Sequence, residues 1–562
     1  DAGSIDAGSI DAGSTMLPDG GVIALAQIIN FAFDRAVIAT GDTASLTWVV
    51  AQDPAATCTV NPGNVSFSSG TAPTGSMQVG TSGTSTLSCA TAAGTVTSQA
   101  TLQVVNNTAP NATIDTPAMS ATWEIGDTIT FTGTCTDDAA GSPTLEHAWD
   151  FGGLSPLFSF TEDPPPVTAT TAGTFTVTYH CTDALGAPDL TPATITITVV
   201  APVFASVKGV RSTIGQTCAL TASGKLFCWG ASSFGVLGQG PTAVDTSRPK
   251  RVGPGLWTDF DVGTQLSCAV NAAHELWCWG WRDVGSIGNG TTTLQNSPVQ
   301  FPGSDWASVS IGNDHACAVK TSGALHCWGR NDEGQLGLGT DTSTQLAFRP
   351  VDGDLDWVSV VAGDRVTCAL KTGNRLYCWG LNDYGQLGTG GVTPSRVPVE
   401  VGAAIDWAQV QTTSRTTCGV DLLGKAYCWG ADFFGQLGDG TVNNNVAGAT
   451  KVPTQVGGAT DWATVHTGWS HTCGRKTNGT VWCWGSDTNG QLGDGTASTA
   501  NTLVPAQVGG DADWSQLSAN DNYTCGVRAG GHAWCWGLNL RGVLGNGTTT
   551  NSSTPVEALP AP

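Results

Sequence analysis

Eighteen cysteines are the residues of this 562-residue chain best suited to chemistry. Seven pairs share a spacing of ten: Cys218 with Cys228, Cys268 with Cys278, Cys317 with Cys327, Cys368 with Cys378, Cys418 with Cys428, Cys473 with Cys483 and Cys525 with Cys535. Such thiols could hold metal, exchange electrons or form staples. Structural zinc wants close ligands such as C-x2-C with a second close pair or His nearby, and redox catalysis wants one C-x-x-C. Neither pattern occurs. In CAVKTSGALHCWG, residues 317–329, the sequence alternates about Ser322, so a hairpin with the loop Thr321, Ser322, Gly323 sets the two cysteines opposite each other. A three-residue hairpin loop ends in the left-handed conformation that suits Gly. The equivalent positions hold Gly224, His274, Gly323, Asn374, Gly424, Gly479 and Gly531, and Asn and His are among the few other residues enriched there. The cysteines then fall at a close cross-strand pair where a disulfide fits.

Other chemical candidates are weaker. Asp352, Asp354 and Asp356 in VDGDLDW could form a paired-carboxylate or metal site, but an Asp also precedes Trp306, Trp407, Trp462 and Trp514, so Asp356 reads as a turn residue. His315 and His471 occupy the same place two residues before a cysteine, which marks them as scaffold. No G-x-S-x-G, H-E-x-x-H or P-loop occurs. We expect no enzyme, no cofactor and no metal. Residues 1–200 carry 18 Asp/Glu against one Arg, and residues 201–562 carry 27 against 21 Lys/Arg, for a net charge of −23. Such a chain repels phosphate backbones, which excludes nucleic acid as a partner. The longest apolar run, GVIALAQIINFAF at 21–33, is too short to cross a bilayer. Cysteine pairing throughout predicts an exported protein in an oxidising compartment, its signal peptide removed or outside this sequence.

The elements that must position these residues repeat. First cysteines of successive pairs are 50, 49, 51, 50, 55 and 52 residues apart, a period that signals a propeller or solenoid. One unit reads as four strands, WASVSI at 306–311, ACAVK at 316–320, ALHCW at 324–328 and a proline-led strand of the type SPVQF at 297–301, which is the make-up of a propeller blade. Phe204 stands where later units have Trp257, Trp306, Trp357, Trp407, Trp462 and Trp514, and STPVEA at 553–558 supplies the last outer strand, so residues 201–562 would form a ring of seven. The segments CWGRNDEGQLGLGT at 327–340 and CWGLNDYGQLGTG at 378–390 resemble the regulator-of-chromosome-condensation repeat. That resemblance covers residues 201–562 and implies a seven-bladed β-propeller, in a family whose members range from a nuclear exchange factor to a secreted β-lactamase inhibitor.

Residues 108–200 hold Cys135, Trp149 and Cys181, with Tyr179 two before the second cysteine, the layout of a β-sandwich with an inter-sheet disulfide beside a buried Trp. HAWDFGG at 147–153 and AGTFTVTYHCTDALG at 172–186 resemble the polycystic-kidney-disease (PKD) domain, an immunoglobulin-like extracellular spacer. Residues 21–107 read as another immunoglobulin-like sandwich, in which Cys58 follows Trp48 and a disulfide to Cys89 would join different strands. It resembles bacterial immunoglobulin-like modules. Residues 1–20 begin DAGSI, DAGSI, DAGS, a polar linker resembling those after the lipidated cysteine of some Gram-negative surface lipoproteins, which implies a lipid anchor upstream of residue 1. Asp1, Asp6 and Asp11 are too sparse for a calcium loop.

In a repeat protein, the residues that break the pattern are the informative ones. The fourth position after C-W-G reads Phe234, Val284, Glu333, Tyr384, Phe434, Asn489 and Arg541, and these should ring one face. Phe234, Tyr384, Phe434 and Arg541, with Trp281 and Arg282 nearby, are the candidate binding surface; the opposing expectation is that the aromatics pack between blades. The longer connection at 441–453 is a candidate contact loop. The expected role is display of the propeller at a bacterial cell surface for adhesion or protein binding. Alternatives are a fibre subunit that binds copies of itself, and a secreted inhibitor acting through the propeller face.

Overall fold

The computed structural model describes residues 15–559, leaving aside 17–21, 24–26, 36, 52–56, 62–64, 69–73, 92–93, 106, 119–120, 138–144, 157, 184, 186, 210–214, 282–287, 289–292 and 444–447. The repeat of Asp1, Asp6 and Asp11 therefore lies outside the described residues, as do Arg282 and Val284. Regular structure among the described residues is strand, apart from two three-residue 3-10 turns. Two compact units result, the second holding 199–562 together with 124–127 and 170–172.

The first unit is built from facing sheets. In Ala44–Ala51 the side chains of Leu46, Trp48 and Val50 alternate into the core and meet Cys58, Val60, Leu87 and Cys89 of the opposite sheet. Cys58 and Cys89 are direct cross-strand neighbours in one sheet, bonded with Cα atoms 4.0 Å apart. Cys135 and Cys181 differ: they join Thr132–Thr136 to Gly173–Thr182, which belong to separate sheets, across 6.5 Å. Beside that bridge Trp149 is buried and stacks on Tyr179 with ring centroids 4.3 Å apart. The Tyr179 hydroxyl meets Nδ1 of His147 at 2.8 Å, so a side chain takes the place of the upstream backbone group that a corner tyrosine bonds in immunoglobulin-type sandwiches.

The second unit contains seven four-stranded antiparallel sheets, each made of consecutive strands. Blade 3 is typical: Trp306–Ile311, His315–Lys320, Leu325–Gly329 and Gln345–Pro350. The proline-led strand is the outer edge of its sheet, where a missing N–H is tolerated. The hairpin between second and third strands carries the expected staple in every blade. Cys218 is bonded to Cys228, Cys268 to Cys278, Cys317 to Cys327 and Cys368 to Cys378. Cys418 is bonded to Cys428, Cys473 to Cys483 and Cys525 to Cys535, and all seven pairs have Cα atoms 4.1 Å apart. The residue closing that hairpin has φ between 59° and 84° in all seven blades, His274 and Asn374 included. Gly323 N–H bonds the Lys320 carbonyl and Lys320 N–H bonds that of Ala324, which fixes the three-residue loop.

Tryptophan bolts each blade to its neighbour. The C-W-G tryptophans are fully buried, and the indole N–H of Trp429 donates to the Gln386 carbonyl of the preceding blade at 2.9 Å. The Thr417 hydroxyl donates to the same oxygen at 2.8 Å. The pair recurs as Trp379 with Thr367 on Gln335, Trp484 with Thr472 on Gln436, and Trp536 with Thr524 on Gln491. Blade 7 meets blade 1 in the same way, since Trp229 and Thr217 both donate to the Val543 carbonyl. Among the described strands, no blade takes members from both chain ends; the ring is closed by this packing, reinforced by Tyr523 Oη donating to the Gln216 carbonyl at 2.7 Å. His315 and His471 belong to the same seams, with Nε2 of each 2.8 Å from a threonine hydroxyl on the following blade, Thr367 and Thr524. Burial lowers the His471 pKa to about 3, so the ring is neutral.

The Asp-Trp pairs leading the inner strands have a matching cation. Lys371 bonds Asp354 and Asp356 and lies 4.5 Å from the Trp357 ring centroid, while Asp352 accepts the Trp357 indole N–H. Lys320 repeats this against Asp305 and Trp306, Lys476 against Asp461 and Trp462, and Arg528 against Asp513 and Trp514. The aspartate triplet is thus scaffold. The Lys371→Ala variant should lose only about 0.5–1 kcal/mol of stability in urea unfolding, the range of one partly exposed ion pair and cation–π contact.

Candidate functional site

Two sets of connections share one face of the ring. The turns between first and second strands adjoin the starts of the long loops between third and fourth strands, through bonds such as Arg330 N–H to the Asp314 carbonyl and Leu381 N–H to that of Arg365. The long loops hold the pattern-breaking residues, and the short turns line the mouth of the central channel.

Position four after C-W-G reaches the following blade in five of the blades, while Asn489 bonds Thr488 within its own. Phe234 stacks on Trp281, with centroids 5.4 Å apart and planes 15° apart. Glu333 meets Arg365 at 3.4 Å. Tyr384 packs edge-on to Phe433 at 5.3 Å beneath the Arg415 guanidinium, 5.2 Å from its ring. Phe434 lies against Trp469 at 5.6 Å. Arg541 pairs with Asp245 at 2.7 Å, from blade 7 to blade 1. Phe234, Tyr384 and Phe434 are half-buried and Arg541 is exposed. The aromatics therefore pack between blades, and none of the three is fully buried. Phe234 and Arg541 also share a left-handed backbone, φ 62°.

The mouth is a cavity of about 360 Å³. Six blades contribute the second residue of their short turn: Thr264, Asn313, Asp364, Ser414, Trp469 and Asp521. Asp521 is 7 % exposed, and burial raises its pKa to about 6. Trp469 is 46 % exposed and joins the mouth to the ring through Phe434. Trp469, Arg415, Phe433 and the two aspartates were not singled out from the sequence. Trp469 and Asp521 could have been, because GWSH and NDNY stand where other blades read GNDH and GDRV.

Five of the long loops are shaped by one buried side chain each, Asn331, Asn382, Asp432, Asp487 and Asn539. Asn382 accepts Leu387 N–H with its oxygen and donates its amide to the Gly391 and Thr393 carbonyls, and Asn331 and Asn539 do the same in their blades. Blade 5 has Asp432 instead. Its Oδ1 accepts Leu437 N–H, but Oδ2 is buried without a partner among the described residues, and burial pushes the carboxyl up to about 7. Asp432 also pairs through its backbone with Asn443, at the start of the long connection whose residues 444–447 are outside the described set.

Comparison with known proteins decides the family. The model of the RCC1-like domain matches residues 260–560, and that of the regulator of chromosome condensation (RCC1) repeat matches 223–270. The chain belongs to the RCC1-like domain family. Among solved structures, human WBSCR16 is similar at 20% identity and a TM-score of 0.53, covering 59% of this chain and 93% of that one. Prp20p from Saccharomyces cerevisiae is similar at 19% identity and a TM-score of 0.54, over 60% of this chain and 86% of its own. Both likenesses concern the fold. RCC1-like propellers are typically binding or regulatory domains, which suggests protein binding for this RCC1-like propeller.

Proposed function

We propose that this chain is a non-enzymatic, exported bacterial protein that displays its propeller at a cell surface to bind other proteins. The observation that carries this reading is the loop face, where half-exposed aromatic rings and an exposed arginine surround a cavity. Aromatic and arginine side chains held rigidly in this way make good interface anchors, because little conformational freedom is lost on contact. The crystal structure of Prp20p was reported with its binding properties to Gsp1p and histones, an instance of a related propeller used for protein recognition. The acidity of this chain, with a pI of about 4.4, argues for a protein rather than a nucleic-acid partner.

Export rests on the cysteines. All the described cysteines are paired, which a reducing cytosol would not sustain. The immunoglobulin-like and PKD-like modules proposed for residues 21–107 and 108–200 act in this reading as spacers, with 1–20 as a linker toward a lipid anchor.

The test is retention of a partner from the extracellular fraction of the native host by the tagged full chain. Alanine at Phe234, Tyr384, Phe434 and Arg541 together is expected to weaken retention roughly ten-fold or more. Serine at Leu422 and Leu423, which are exposed on the opposite face, is expected to leave it unchanged. Equal retention by the alanine variant would overturn the assignment of this face.

A further inference from the structure

Resting on the protein-binding reading, we propose that the channel mouth is a receptor for one organic cation. Its ligand is the guanidinium or ammonium group of an Arg or Lys side chain projected by a protein partner, held between the Trp469 indole and the carboxylates of Asp364 and Asp521.

Among the described residues, no cation stands beside the Asp521 carboxylate. Asp521 lines the cavity at 7 % exposure, and among the described residues no hydrogen bond or ion pair engages its carboxylate. Asp364 lines it from blade 4 with Oδ1 buried and unpaired among the described residues. A buried carboxylate without a partner is costly, and a cation delivered to it regains that cost. None of the described residues lining the mouth is cationic. Among the described residues, Arg365 pairs with Glu333 at 3.4 Å, Arg415 lies over Tyr384 at 5.2 Å, Lys208 pairs with Asp259 and Asp261 at 3.6 and 3.8 Å, and Arg330 pairs with Asp314 at 3.2 Å and acts on Asp364 only through space.

The shape argues for an organic cation. Trp469 is the lone aromatic among the described residues of the mouth, and an indole face adds cation–π attraction for a guanidinium or alkylammonium group. Two carboxylates from separate blades fall short of the six to eight oxygens a calcium ion takes, whereas one flat or tetrahedral cation suits them. A cavity of about 360 Å³ has room for one long side chain. It opens on the face that carries Phe434, whose ring touches Trp469, so a partner seated on the ring of aromatics would present such a side chain to it.

Calorimetric titration of the full chain tests this with ethylguanidinium, butylammonium, calcium, and a cyclised hairpin peptide carrying arginine at its turn. Both organic cations are expected to bind, and the peptide more tightly than either. Asp521→Asn and, separately, Asp364→Asn should weaken ethylguanidinium roughly ten-fold, and Trp469→Leu about five-fold. Both asparagine variants keep the side-chain size, and their melting temperatures report that the ring is intact. Absence of heat with both organic cations, preference for calcium, or unchanged affinity in the asparagine variants would overturn the site. Equal affinity for peptide and free ethylguanidinium would overturn the protein source. Host-protein retention at wild-type strength by Asp521→Asn would sink this inference while leaving the protein-binding reading in place.

Discussion

Replacing Trp429 with alanine is expected to lower the stability of the propeller by about 3–5 kcal/mol, the usual cost of emptying a fully buried indole site. Trp429 has no exposed surface and belongs to the core between blades 4 and 5. Its surroundings cannot collapse into the gap, because Val401 and the Cys368–Cys378 staple hold one side and the hairpin of blade 5, stapled by Cys418 and Cys428, the other. Gly388 is shaped to it: a Cβ there would lie 2.7 Å from Nε1 of Trp429, on a backbone with φ 73°. Trp429→Phe separates the parts of the effect. It keeps most of the apolar contact but leaves the Gln386 carbonyl with Thr417 alone, so about 1–2 kcal/mol should be lost. Chemical denaturation under non-reducing conditions measures both. A loss below about 1 kcal/mol for alanine would mean that the tryptophan bolts do not hold the ring.

Asp432→Asn is expected to stabilise the protein by about 1–3 kcal/mol above pH 7, the penalty of a buried polar group without a partner. Asn331, Asn382 and Asn539 show what the site accepts, an amide that donates to loop carbonyls. Asp432 can imitate that amide only when protonated. Burial raises its folded pKa above the ordinary 3.8 to about 7. Folding therefore favours the protonated acid: its contribution is complete below the ordinary pKa and is lost as pH rises toward 7. The advantage of asparagine should accordingly shrink toward pH 4 and be full at pH 8. Urea unfolding of both proteins across that range reads it directly, and a difference independent of pH would refute protonation of Asp432. Asp487, in the equivalent place of blade 6, is a weaker case because its Oδ2 accepts from Thr496 at 3.3 Å.

Much of the propeller was legible because the chain states it seven times. Spacing alone located the hairpins, and Gly, His and Asn marked the left-handed turn residue that the backbone now shows at Gly224, His274 and Asn374. Repetition also exposed His315 and Asp356 as scaffold, since a catalytic residue has no reason to recur from blade to blade. Their partners were hidden. Thr367 lies 52 residues from His315, and the Trp429 acceptor Gln386 is 43 residues away, at separations set by the ring and invisible to local pattern. Cys58 and Cys89 show another limit, because sequence order told that their bridge differs from Cys135–Cys181 but not that both lie in one sheet. The candidate face was proposed from its deviations at position four after C-W-G. The mouth was missed because its residues sit in short polar turns, where Asp and Asn are ordinary, and only assembly of six such turns around one axis makes a cavity of them.

Photo-crosslinking from each face of the full chain tests the central claim most directly. A photoreactive amino acid would be placed at Asp383, exposed beside Tyr384 on the loop face, and in a second protein at Leu423, exposed on the opposite face. After exposure to the native host's extracellular proteins, position 383 is predicted to give a discrete adduct and position 423 none. Adducts from position 423 alone would contradict the account and move the binding surface to the other side of the ring.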